Sequence, residues 1–126
     1  MLCATDLNGT LDAAPGQLGP MLRALREAGH TVVILTAIAA SDPSDPKAAW
    51  AAKVQQLHGL DCDDCWDSMM VFDIPDGPKL AVAKSDACKS LGVALFIENN
   101  VANAKAAVNA GVPMVLVPQA TRVKNK

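Results

Sequence analysis

Apolar positions along the chain fall into two patterns that alternate, short continuous runs and stripes at helical spacing. "MLCAT" (1–5) is a short apolar run that stops at Asp6 and reads as a strand. "GQLGPMLRALREAG" (16–29) carries Leu18, Met21, Leu22 and Leu25 at helical spacing and stops on Gly29. "HTVVILTA" (30–37) is a β-branched run suited to a strand buried on both faces. A polar, Pro-rich loop, "ASDPSDP", leads to "KAAWAAKVQQLHG" (47–59), a helix with Trp50, Val54 and Leu57 on one stripe. "SMMVFD" (68–73) is a third strand, and "GPKLAVAKSDACKSLG" (77–92) a helix with Pro78 at its start. "VALFIE" (93–98) is a fourth strand, "NVANAKAAVNAG" (100–111) an alanine-rich helix and "VPMVLVP" (112–118) a fifth strand.

Strand–helix alternation over the whole length predicts an α/β fold. The expected architecture is a single Rossmann-like, three-layer domain over 1–126, with a five-stranded parallel sheet and helices on both faces. Right-handed crossovers follow. Such sheets bind ligands beyond the carboxyl ends of their strands, so the residues just after each strand matter most. After the first strand come Asp6, Leu7, Asn8, Gly9 and Thr10. The second ends at Thr36. Asp73, Asp76, Lys79 and Lys84 follow the third, and Glu98, Asn99 and Asn100 the fourth, with Asn103 one helical turn on. Each has an ordinary reading: a loop cap for Asp6, a strand residue for Thr36, a surface charge for either lysine, a solvated strand end for Glu98. Together at one edge they make a phosphate-and-cation site. A carboxylate can attack phosphorus, a hydroxyl and a lysine can hold phosphoryl oxygens, and an acid can help hold Mg²⁺, which takes oxygen ligands.

Composition narrows the classes. A chain of 126 residues that is 51% apolar is long enough to bury a core and excludes disorder. A net charge of -2 gives no footprint for nucleic acid or an anionic membrane, and Arg122, Lys124 and Lys126 read as a solvated basic tail. The apolar start is too short for a signal peptide and no run is long enough for a membrane span. Cys3 and Cys88 fall in a predicted strand and helix and read as buried thiols, so a reducing, cytoplasmic setting is expected. Cys62 and Cys65 form a C-x-x-C pair. The chain has no further Cys or His at the spacing a structural zinc site requires. The neighbouring Asp61, Asp63 and Asp64 raise rather than lower a thiol pKa, which speaks against a reactive thiolate.

In the order of its motifs the chain resembles the haloacid dehalogenase superfamily of phosphatases. "DLNGTL" is similar to that family's first motif, usually Asp-x-Asp-Gly-Thr. "VVILTA" resembles the second, a strand ending in Thr or Ser; a lysine in "KLAVAKSDACKSLG" resembles the third; "LFIENN" with the following helix and "AGVPMVLV" resembles the fourth. The resemblance spans residues 1 to 118. It implies that Asp6 is the nucleophile that forms an aspartyl-phosphate and that Thr36 binds the transferring phosphoryl group. Lys84 is the preferred third-motif lysine, with Lys79 the alternative. Asp6, the backbone carbonyl of Asn8, Glu98 and Asn99 would hold Mg²⁺.

Two departures bear on activity. Asn8 stands where the family's second Asp protonates the leaving group and activates water, and an amide can do neither; losing a general acid–base costs about 10²–10⁴-fold. Asn99 stands where the family usually has Asp, which weakens metal affinity. The expected function is therefore a slow Mg²⁺-dependent phosphohydrolase, or else a degenerate relative that binds a phosphate ligand or a protein partner. The segments 13–30 and 37–78 hold too little chain for a cap domain. A capless, open site suits a phosphorylated substrate, macromolecular ones included, with nucleic acid disfavoured by the weak basicity. A third class, a receiver domain phosphorylated at Asp73, would want an acidic pair after the first strand, where the chain has one acid and a Gly-Thr. The pattern sets neither the substrate nor the oligomeric state.

Overall fold

Buried apolar strands with polar breaks between them give the chain its order, which a computed structural model describes for residues 1–118. The basic positions Arg122, Lys124 and Lys126 lie outside the described residues. In chain order the elements are β1 (Leu2–Thr5), α1 (Pro15–Glu27), β2 (Thr31–Ala37), α2 (Pro46–Gly59), β3 (Ser68–Phe72), α3 (Pro78–Leu91), β4 (Val93–Ile97), α4 (Val101–Asn109) and β5 (Met114–Leu116). Local chemistry sets several boundaries. Asp45 accepts a hydrogen bond from the Ala48 N–H at 3.0 Å, with Pro46 opening α2 behind it. Asn100 caps α4 through the Asn103 N–H at 3.0 Å. Gly92, left-handed at φ 70, ends α3.

The five strands form one parallel sheet in the order β3-β2-β1-β4-β5. The chain crosses outward from β1 to β2 and β3, then returns to the other side of β1 for β4 and β5. Crossovers of one hand therefore place α1 and α2 on one face and α3 and α4 on the other. Side-chain alternation divides the core accordingly. Cys3, Val32, Ile34 and Ile97 face Leu18, Leu22 and Leu57. Ala4, Val33, Leu35 and Phe96 face Cys88 and Ala107. This is the α/β, Rossmann-like single domain that the alternation predicts.

The stripe of α2 differs from expectation. Its buried residues are Ala49, Lys53 and Leu57, spaced by four, while Trp50 is exposed and stacks edge-on with Trp66 at 6.2 Å between ring centres. Lys53 is wholly buried, its Nζ 2.9 Å from Asp42 Oδ2 in an ion pair that lacks hydrogen-bond alignment. Asp42 also accepts from the Ala39 N–H at 2.8 Å, so Lys53 holds the loop that leaves β2. A lysine on an apolar stripe is easily read as solvent-facing, which is why the tryptophan was the more natural choice for the core.

Among the described residues no helix is long and apolar enough to cross a membrane.

Candidate phosphoryl site

The strand order reverses beside β1, and the crevice beyond the carboxyl ends of β1 and β4 is where a sheet of this kind opens. Asp6 leaves β1 in an extended conformation, its N–H held by the Ile97 carbonyl at 2.9 Å. The chain then makes one irregular turn over Leu7–Leu11, with Asn8 extended and Gly9 left-handed at φ 80. The turn brings Thr10 back under Asp6. Thr10 Oγ1 lies 3.1 Å from Asp6 Oδ2 and 3.1 Å from Asn99 Oδ1, sharing its single hydrogen between them, and accepts from the Asn99 N–H at 3.2 Å. One hydroxyl thus ties the β1 turn to the β4 loop.

A buried charged cluster lies behind this turn. Lys84 Nζ stands 3.1 Å from Asp6 Oδ1 and 2.9 Å from Glu98 Oε1. Glu98 is fully buried; its Oε1 also accepts from Asn103 Nδ2 at 3.1 Å and its Oε2 from the Asn100 N–H at 3.3 Å. Burial pushes the Asp6 carboxyl up to about 7, the charge of Glu98 pushes the same way, and Lys84 opposes both. Burial pulls the Lys84 ammonium down, but the carboxylates of Asp6 and Glu98 outweigh it and hold its pKa above the ordinary value.

In front of the cluster is a cleft of about 560 Å³. Asp6, Asn8, Thr36, Lys84, Asn99 and Asn103 are among the residues that line it. Thr36 is fully buried in β2, yet among the described residues its Oγ1 has no hydrogen-bond partner, an uncompensated polar atom at the wall of a polar cleft. Most of the sequence candidates therefore meet in one place; Lys79, Glu98 and Asp73 do not line it. Lys79 is exposed on the first turn of α3 and does not line the cleft; Lys84, a turn and a half further on, is the lysine that reaches Asp6. Glu98 does not line the cleft either, because it turns inward beneath Lys84. Asp73 is exposed at the end of β3, outside the cleft.

Two residues escaped the sequence reading. Gln56 Nε2 on α2 lies 3.2 Å from Asn8 Oδ1 and 3.2 Å from Asp12 Oδ2. Asp12 Oδ1 accepts from the Gly9 N–H at 2.7 Å. Both position the turn that carries Asn8. The Gly-x-x-Asp spacing of Gly9 and Asp12 was the only local signal, and nothing local marks Gln56, which arrives from the far side of a crossover.

The donor set fits a divalent cation poorly. A hard cation takes several oxygen ligands, carboxylates foremost. Of Asp6, Asn8, Glu98 and Asn99, only Asp6 brings a carboxylate to the cleft, and that carboxylate is already paired with Lys84. The oxygens of Glu98 are spent on Lys84, Asn103 and the Asn100 backbone. Among the described residues no group of three or more His, Cys, Asp or Glu side chains could hold a metal.

The cysteines lie elsewhere. All four are free and buried. Burial, then the adjacent Cys62, pushes the Cys65 thiol up to about 12, with Asp64 a minor contributor. The unreactive thiol expected from the sequence is thus a matter of burial more than of the flanking acids.

No protein-family model and no curated protein matches the sequence. Solved structures do match its fold. D,D-heptose 1,7-bisphosphate phosphatase from B. bronchiseptica, solved with magnesium and phosphate, aligns with a TM-score of 0.62 at 18% identity, over 91% of this chain and 79% of that one. The enzyme of the same name from Burkholderia thailandensis gives 0.60 at 16% identity, over 96% and 81%. A universal stress protein solved with cAMP gives 0.54 at 13% identity, over 94% and 95%. At these identities the likeness is one of fold: this chain shares the parallel α/β fold of the two phosphatases.

Proposed function

We propose that the cleft is a phosphatase-type site that takes the phosphoryl group of a phosphate monoester against Asp6 and turns it over slowly. The observation that carries this reading is the convergence of Asp6, Lys84 and the unpartnered Thr36 hydroxyl on one cleft at the strand-order reversal. The motif order and the shared fold with two sugar-phosphate phosphatases support it. The Asp6 carboxylate is the attacking group: it forms an oxygen–phosphorus bond as the ester oxygen–phosphorus bond breaks, and a water molecule must protonate the departing oxygen. A second water then attacks the aspartyl-phosphate, releasing inorganic phosphate and restoring Asp6. Lys84 opposes the burial that raises the Asp6 carboxyl and so favours its ionised, attacking form, and Thr36 and Lys84 are placed to donate to phosphoryl oxygens. Asn8 can serve neither proton transfer, which limits the rate by about 10²–10⁴-fold against a site with an acid there.

Mg²⁺ is the cofactor the resemblance implies, and the misfit of the donor set means that no step here runs through it. Among the described residues the segment between β2 and β3 carries one helix, too little for a cap, which favours a large substrate such as a phosphoprotein. Four free, buried cysteines favour a reducing, cytoplasmic setting. A second reading, a silent relative that binds phosphate or a partner, is favoured by the amides Asn8, Asn99, Asn100 and Asn103 at the cleft. Hydrolysis of an aryl phosphate with magnesium supplied, set against Asp6→Ala, separates them. Turnover that disappears with Asp6 supports the enzyme; turnover equal in both proteins refutes it and leaves the binding reading.

A further inference from the structure

Three of the four asparagines at the cleft share one polarity; the fourth, Asn103, gives its Nδ2 to Glu98. Asn8 Oδ1 accepts from Gln56, Asn99 Oδ1 faces the Thr10 hydroxyl, and Asn100 Oδ1 accepts from the Asn103 N–H. Each of these three amides has its oxygen tied to the protein. The nitrogen end is what each can offer to the cleft it lines. Lys84 adds to this. An ammonium carries three hydrogens, and two are directed at Asp6 and Glu98. Thr36 contributes a buried hydroxyl with no partner among the described residues. A cleft lined this way offers donors to an anion, where a cation site would offer acceptor oxygens.

We propose that this cleft binds the phosphate group without a divalent cation, with the Lys84 ammonium and the amide nitrogens of Asn8, Asn99 and Asn100 meeting the charge that a metal would otherwise balance. The proposal rests on the phosphoryl reading of the cleft. Four carboxylates set the local field: Asp6 and Glu98 around Lys84, Asp76 at the cleft wall and Asp12 behind Asn8. With Asp6 ionised the buried cluster of Asp6, Lys84 and Glu98 carries one net negative charge.

Inorganic phosphate is the probe, titrated into isotope-labelled protein and followed through backbone amide shifts at Thr36 and Asn99, once in EDTA and once with excess magnesium. Sulfate repeats the titration as a second anion. The expected result is saturable binding of both anions in EDTA that magnesium strengthens by less than about threefold. Asn99→Asp, which replaces a donor with a carboxylate, is expected to weaken binding in EDTA by about tenfold and to make it magnesium-dependent. Binding that requires magnesium in the unchanged protein overturns this proposal and leaves the phosphoryl reading standing. No binding in either condition, with a well-dispersed spectrum, removes both.

Discussion

Gln56 Nε2 lies 3.2 Å from Asn8 Oδ1, so a side chain of α2 holds the residue where a general acid would stand. The contact donates to an oxygen, and a carboxylate would receive it as well as an amide does. Asp12 shares the same donor at 3.2 Å and adds some repulsion. Asn8→Asp is therefore expected to fold and to raise aryl phosphate turnover with magnesium supplied by about tenfold or more. Steady-state kinetics on the variant, and on the same variant with Asp6→Ala, check it. Unchanged turnover in a folded Asn8→Asp protein would show that the missing acid is not what limits the rate.

Lys84 sits between two buried carboxylates, and its removal leaves both uncompensated. Breaking such a cluster from one side costs about 3–5 kcal/mol. Lys84→Met should lose stability of that order in urea denaturation at pH 7, and less at pH 5, where the freed carboxyls can protonate. A loss of under about 1 kcal/mol at pH 7 would mean that water already shields the cluster.

Much of this site was legible because parallel sheets put their chemistry at strand ends, so locating β1, β2 and β4 was enough to nominate Asp6, Thr36, Glu98 and Asn99. What strand position does not encode is side-chain direction. Glu98 follows β4 directly, yet it turns under the sheet to Lys84 rather than out to the cleft, because Asn100 and Asn103 on the next turn draw its oxygens inward. Lys79 and Lys84 were separable only by the helix they share: five residues is about 500° of helical rotation, which leaves one in solvent and turns the other to Asp6. Lys53 escaped notice for a related reason, since its partner Asp42 sits in a loop whose path no periodicity describes.

Gly9 has φ 80, and a Cβ there would come within 3.1 Å of Asn99 Nδ2. The backbone conformation favours glycine, and a Cβ would also make the Asn99 side chain give way by a few tenths of an ångström. Gly9→Ala should cost about 1–2 kcal/mol from the left-handed backbone alone and displace Asn99 from Thr10. Thermal denaturation measures the first effect, and the Asn99 side-chain amide resonances report the second. A variant of unchanged stability would show that the turn relaxes into another conformation.

The thiols supply a test of the core rather than of the site. Cys62 and Cys65 are fully buried, and the Cys65 thiol is pushed up to about 12 and offers no thiolate at neutral pH. A thiol-reactive dye at pH 8 should label them only as fast as the protein opens, with labelling accelerated by urea in step with unfolding. Rapid labelling of either in the native protein would place that loop outside the core.

Asp6 also sets a pH dependence of stability whose direction follows from its surroundings. Its carboxyl has an ordinary value of 3.8 and is pushed up to about 7 in the folded chain, chiefly by burial and then by Glu98. A folded-state value above the unfolded one means that the folded chain binds the proton more tightly. The associated stability is complete below 3.8 and is lost as the pH rises through about 7. Asp42, Asp64 and Asp67 are shifted downward, so their contributions change below the ordinary carboxylate value and leave this window clear. The raised Lys84 changes its contribution only at alkaline pH. His58, raised by Asp63, acts in the same direction as Asp6, but the pair is exposed and screened. Urea denaturation across pH 4 to 8 should therefore show stability falling toward neutrality, and Asp6→Asn should flatten most of that slope. A slope that survives Asp6→Asn unchanged would assign the effect to His58 and remove Asp6 as the buried titrating group.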